Sequence, residues 1–177
     1  MPRYIVYACP VGPLAEQLSA YFAASRAACG PNAAHNYMPH ITLTGFFQDS
    51  DTSLPVYITA LASAHQRATA ERPAMPIIVT ALEINPEFHG LLIEAPWLKA
   101  LISDFIACAA SPTRNEALRR KDWLHLSLAY EFAVEHHTAL AEFAQQLVDL
   151  QAAAEWELRF YERHADATWT LHAAWVL

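Results

Sequence analysis

Pro39-His40-Ile41-Thr42-Leu43 and, about 85 residues further on, Leu124-His125-Leu126-Ser127-Leu128 carry one pattern: histidine, apolar, hydroxyl, apolar. On a strand, side chains two apart share a face. A strand through each stretch therefore turns His40 with Thr42, and His125 with Ser127, to one side. Ile41, Leu43, Leu124, Leu126 and Leu128 turn to the other side and supply core. One His-x-Thr carries little weight in a chain with nine histidines. Two of them, each inside an apolar run and at matching places, carry far more.

Working outward, apolar and β-branched runs predict seven strands: Tyr4–Cys9, His40–Phe47, Pro76–Ile84, Gly90–Ala95, Trp123–Phe132, Glu155–His164 and Thr168–Val176. Four alanine-rich helices fall between them, over Pro13–Ala28, Leu54–Thr69, Trp97–Ala110 and Glu135–Leu150. Pro13 suits a helix start, and Gly30-Pro31 stops the first helix. The order is strand, helix, strand, helix, strand, then the same again plus one strand. It reads as a duplication within one domain of residues 1–177, with halves of about 1–85 and 86–177 joined at Asn85-Pro86-Glu87. The fold class is α+β.

Composition narrows the partners. The 177 residues are 54% hydrophobic and 16% charged, which excludes a disordered chain. Eleven basic against 18 acidic residues leave −7, a poor match for long nucleic acid but no obstacle to one small phosphorylated ligand. The longest uncharged run, Ala27–Gln48, is broken by Gly30, Pro31, Asn32, His35, Pro39 and His40, so no membrane span is expected. Cys9, Cys29 and Cys108 are odd in number and lack a CxxC. They read as reduced thiols of a cytoplasmic protein. A monomer is favoured.

The doubled motif fits phosphodiester hydrolysis. Imidazole gains or loses a proton near neutral pH. In-line displacement at phosphorus needs a base beside the entering water and an acid beside the leaving oxygen. His40 and His125 can bracket the phosphorus, with either as base. Thr42 and Ser127 can donate hydrogen bonds to the non-bridging oxygens. The scheme calls for no cofactor and no metal. No HExxH, GxSxG, P-loop or GxGxxG occurs, and four glycines leave little room for the last two.

The pair His40-Ile41-Thr42 and His125-Leu126-Ser127 resembles the signature of the two-histidine (2H) phosphoesterase superfamily. The run His125-Leu126-Ser127-Leu128-Ala129-Tyr130 is similar to the form found in plant- and yeast-type cyclic nucleotide phosphodiesterases. That resemblance implies a bilobal fold, with two antiparallel sheets facing each other across a cleft and helices outside. It also implies opening of a small cyclic phosphodiester, a 2′,3′-cyclic nucleotide or ADP-ribose 1″,2″-cyclic phosphate, to a phosphomonoester. In the resembling enzymes a tyrosine at the spacing of Tyr130 contacts the phosphate region. Strict alternation from His125 sends Tyr130 to the opposite face unless a bulge turns it back. Two alternatives keep the same site. One is a phosphodiesterase of 2′-5′-linked or cyclic oligonucleotides or RNA ends, and the other is a nucleotide-binding module without turnover.

Tyr37, three residues before His40, sits at the rim of the proposed cleft and could stack on a base, as could Phe46, Phe47 or Trp97. For the last three, core packing is the simpler reading. Arg114, Arg119, Arg120 and Lys121 form the only basic cluster, in a polar loop over 113–122 that could reach a ligand's other phosphates or simply face water. His164 and His172 could pair across a hairpin, and His89 could approach the cleft.

Overall fold

The computed structural model describes residues 1–71 and 75–177. Among the described residues eight strands are present: β1 (Arg3–Val11), β2 (Ile41–Thr42), β3 (Phe47–Gln48), β4 (Ile78–Asn85), β5 (Phe88–Glu94), β6 (His125–Tyr130), β7 (Glu155–Arg163) and β8 (Trp169–Val176). Four helices accompany them: α1 (Pro13–Cys29), α2 (Leu54–Glu71), α3 (Pro96–Cys108) and α4 (His137–Leu147). The fold is α+β. No helix among the described residues is long and apolar enough to cross a membrane.

All pairings are antiparallel, in the order β4-β5-β6-β2-β1-β7-β8, with β3 also on β1. The strands thus form one hydrogen-bonded sheet where two separate sheets were expected. Its two lobes meet at a narrow seam, the single register pair Ile41↔Leu126 between β2 and β6. The order is symmetric about this seam when the sequence halves are exchanged. The first half places β4 in the other lobe, beside β5, and the second half places β7, beside β1, with β8 beyond it. The helices follow the same symmetry, α1 beside α4 and α2 beside α3.

Alternation along β1 separates the two faces. Tyr4, Val6 and Ala8 join the main core with Leu14, Leu18 and Tyr21 of α1, Tyr57 and Leu61 of α2, and Leu98 and Phe105 of α3. Ile5, Tyr7 and Cys9 join a smaller cluster with Tyr161 on the opposite face. Both faces of β1 are covered, so seven consecutive residues are buried. Gly30 takes φ 77° at the end of α1, where its N–H bonds to the Arg26 carbonyl at 3.0 Å, a conformation few side chains tolerate.

The expected continuous strand His40–Phe47 is broken. Tyr7 pairs Thr42 but Tyr4 pairs Phe47, so four residues, Leu43–Phe46, face the two between Tyr4 and Tyr7. The excess bulges out. Leu43 and Thr44 N–H groups both donate to the Val6 carbonyl, at 3.0 and 3.4 Å, and the Thr44 hydroxyl accepts from Val6 N–H at 3.0 Å. The bulge exposes a second edge, and 119–121 pairs with it. Gly45 N–H donates to Arg119 O at 2.8 Å and Lys121 N–H to Leu43 O at 2.9 Å. The basic loop is therefore fastened to the sheet.

Candidate active site

The antiparallel register about Ile41↔Leu126 sets Thr42 opposite His125 and His40 opposite Ser127. The two histidines lie on the diagonal, where such neighbours stand about 7–8 Å apart and their Cβ atoms somewhat closer. Ile41 and Leu126, fully buried, anchor the seam to the helices from behind. A cleft of about 660 Å³ opens on the other face. His40, Thr42, His125, Ser127, Tyr130 and Tyr37 all line it.

His40 is held on three sides. Its Nδ1 lies 2.7 Å from the Met38 carbonyl, which can only accept, so Nδ1 carries the proton. Nε2 then presents its lone pair and accepts from the Thr42 hydroxyl at 3.1 Å. The ring lies against Tyr7, centroids 3.8 Å apart, with Tyr37 at 5.6 Å. Burial lowers its pKa to about 4, against the Met38 carbonyl that favours the charged form; the charge of His125 adds to the lowering. His40 is thus neutral at pH 7 with a fixed tautomer, the state a general base needs.

His125 is built alike but held less tightly. Its ring lies on Trp123 at 3.8 Å, with Phe88 edge-on at 5.4 Å. Nδ1 is buried without a hydrogen bond of good geometry among the described residues. Burial lowers the pKa of His125; the Trp123 backbone opposes this, Lys121 adds to it, and Glu83 opposes it. Glu83 stands in a row with Gly90 and Ser127 across β4, β5 and β6, and accepts from the Asn85 side-chain amide at 3.1 Å. Gly90 is required there, since a Cβ would collide with the Phe88 ring and come within 2.8 Å of the Leu126 carbonyl. Its absence lets Phe88 fold over the strand toward His125.

Tyr130 reaches the cleft by a bulge. Gly90 pairs Ser127 and His89 pairs Ala129, which leaves Leu128 extra. Leu128 and Ala129 are consecutively buried, and the phase of β6 reverses beyond them. Burial first, then Tyr37 and Glu131, push the Tyr130 phenol up to about 12, so it enters the site as a donor. Tyr37 accepts from Arg163 Nη1 at 3.1 Å.

Several lining residues escaped the sequence reading: Tyr7, Phe88, Trp123, Glu83 and Asn85. Trp123 precedes His125 by two, so strand alternation could have found it. Tyr7, Phe88 and Glu83 required the register. The basic cluster divides. Lys121 lines the cleft, while Arg114 is internal, bonding the Ala109 and Glu116 carbonyls and the Tyr57 hydroxyl. Arg120 pairs Asp122 at 2.7 Å. Phe47 and Trp97 are core, and Phe46 lines the cleft. His89 is buried away from the cleft against His137 at 2.9 Å. His164 and His172 do not bond each other but share Glu162, at 3.3 and 2.9 Å. Among the described residues no group of three metal-ligating side chains converges.

No protein-family model matches the chain. Among curated proteins it is 35% identical over 168 residues to mouse ubiquitin-associated and SH3 domain-containing protein B, covering 92% of this chain and 26% of that protein. It is 32% identical to the ecdysteroid-phosphate phosphatase of Drosophila melanogaster, with 92% and 26% covered, and 34% identical to that of Bombyx mori, with 92% and 25% covered. The chain therefore spans about a quarter of the length of the curated relatives it matches, two of which are named as phosphatases.

Proposed function

We propose that the protein hydrolyses a phosphoester, and specifically a small cyclic phosphodiester on a ribose. A 2′,3′-cyclic nucleotide and ADP-ribose 1″,2″-cyclic phosphate are the two forms considered. The observation that carries this reading is the crossed register of the motifs: two imidazoles on a diagonal, each opposite the other motif's hydroxyl. In-line attack at phosphorus asks for that arrangement, an acid and a base on opposite sides and donors at the equator.

His40 is the base and His125 the acid. Water enters beside His40 Nε2, gives it a proton and forms the new P–O bond. The bond to the ribose oxygen breaks on the far side, and that oxygen takes the proton of His125. The product is a phosphomonoester with a free vicinal hydroxyl. Exchange of one proton from His40 and one to His125 through solvent resets the pair. Thr42 turns its hydroxyl proton from His40 Nε2 to a non-bridging oxygen, which frees the lone pair for water. Ser127 donates to the other oxygen, and Tyr130 and Tyr37 donate at the rim. The outer face of Trp123, more than half exposed, is available to stack on a base.

A second reading takes a phosphomonoester as substrate. It is favoured by the two relatives named as ecdysteroid-phosphate phosphatases. Those proteins are about four times the matched length, and their names do not assign the activity to the matched quarter. Phosphorus NMR separates the readings. Adenosine 2′,3′-cyclic phosphate, ADP-ribose 1″,2″-cyclic phosphate and an aryl phosphate are each incubated with the protein in EDTA. Conversion of a cyclic signal to a monoester signal is expected. Release of inorganic phosphate from the aryl ester, with both cyclic signals unchanged, would establish the second reading instead.

A further inference from the structure

A second, polar groove of about 580 Å³ adjoins the cleft. Gly45, Phe46 and Lys121 line both hollows, so one runs into the other. Its cations are Arg3, Arg119 and Lys121. Among the described residues none of the three has a carboxylate at ion-pair distance, although acidic groups outnumber basic ones by seven. Arg67, Arg120 and Arg159 are each paired. Arg119 lies along Gly45, its Nε 3.8 Å from where a Cβ would stand, at the threshold between the hollows. Glu116 also lines the groove, but one of its oxygens accepts from Gln48 N–H at 2.7 Å.

A second feature points the same way. Arg3 stands directly across from Arg163 in the β1–β7 register. Like charges opposite each other on neighbouring strands repel, and among the described residues neither has a carboxylate at ion-pair distance. Aromatic rings hold them instead. The Arg3 guanidinium lies 3.9 Å from the Phe46 centroid, and that of Arg163 lies 5.1 Å from Tyr37 and 5.5 Å from Trp169. Ring contacts orient a guanidinium without cancelling its charge. An oriented, uncompensated cluster beside a cleft is an anion site, and guanidinium forks match phosphate oxygens.

We propose that this groove binds a second phosphate of the substrate, the one on the 5′ oxygen of the nucleoside whose cyclic phosphate lies between His40 and His125. The inference rests on the cyclic-nucleotide reading of the cleft. The 5′ phosphate can be terminal, or it can be the internucleotide diester of a short oligonucleotide that ends in a cyclic phosphate. Both present anionic oxygens at the same place.

Three substrates test it: adenosine 2′,3′-cyclic phosphate, its 5′-phosphorylated form, and a dinucleotide ending in a 2′,3′-cyclic phosphate. At low salt, kcat/KM is expected to rise about tenfold with the 5′ phosphate. The gain disappears in the double variant Arg3→Gln, Arg119→Gln, while turnover of the plain cyclic nucleotide stays at wild type. Both positions are exposed, so the variant keeps the fold. A gain with the 5′-phosphorylated nucleotide assigns a terminal phosphate. A gain confined to the dinucleotide assigns the oligonucleotide source. Equal kcat/KM across the three substrates, or a gain that survives the double variant, overturns the proposal. If wild type opens none of them, the cleft reading has failed, and calorimetry then decides the groove by itself. Adenosine 2′,5′-bisphosphate binding more tightly than 2′-AMP, with the difference lost in the double variant, supports it. Equal affinities overturn it.

Discussion

The proton on His40 is the residue-scale feature on which the proposed chemistry turns. Burial holds its pKa near 4 and lowers that of His125 below 6.5. The proposed mechanism needs His40 neutral and His125 protonated. In the free protein the two requirements overlap between about 4 and the depressed value of His125. kcat/KM against pH is therefore expected to be a bell whose maximum lies on the acid side of neutrality. A profile that rises monotonically through pH 8 contradicts the pairing. The same shifts bear on stability. The unfolded chain binds protons at these histidines as pH falls below about 6.5, while folded His40, and His89 with its pKa also lowered to about 4, bind them only near 4. Stability is fully present above about 6.5 and declines as pH falls toward 4. Urea titrations at pH 7.5 and 5 measure that loss, and it should shrink in His40→Asn.

At the scale of elements, two bulges aim the site. The bulge at Leu128 brings Tyr130 into the cleft, and the excess of residues at Leu43–Phe46 draws in Arg119–Lys121. Both motifs, seven of the eight strands and all four helices were legible from apolar periodicity and from turn residues such as Gly30-Pro31. The bulge at Leu43–Phe46 was not, and that in β6 entered only as one option for Tyr130, because an unpaired residue is defined by its partner strand and leaves no local mark. For the same reason Glu83, Gly90 and Phe88 entered the site only with the register. Gly90→Ala should move Phe88 off His125 and lower kcat by about tenfold or more, with the far-UV spectrum unchanged. Undiminished turnover would mean that Phe88 has no positioning role. The anchoring of the basic loop was not legible either, because its partners are remote in sequence. Buried Asp49 accepts from Thr113 Oγ1 at 2.6 Å, from Ser50 N–H at 2.7 Å and from the Tyr57 hydroxyl, which also accepts from Arg114 at 3.0 Å. Burial by itself would raise the pKa of Asp49; these bonds hold it well below the carboxylate range. Asp49→Ala strands those donors and should cost about 2 kcal/mol or more in urea denaturation. A change under about 0.5 kcal/mol, the range of ordinary surface substitutions, would show the network to be dispensable.

Over the whole molecule, the lobes join through one register pair, yet β4 of the first half lies beside β5, and β7 and β8 of the second half lie beyond β1. Exchange of β4 and β7, together with a main core that runs through α1, α2, α3 and both lobes, ties the lobes together more firmly than the seam does. Neither half can close its own sheet without the other. Unfolding is expected as one cooperative transition, with tryptophan fluorescence and circular dichroism coincident in urea. Two separated midpoints would show that the lobes fold independently. Sequence order suggested a two-part organisation, but the exchange of strands is a property of pairing and stayed out of reach.

The two-histidine reaction is tested most directly by single-turnover hydrolysis of adenosine 2′,3′-cyclic phosphate with wild type, His40→Ala and His125→Ala. Wild type is expected to open the ring, and each variant to be slower by about 10²- to 10⁴-fold, with the fold intact. Wild-type rates in either variant would contradict it.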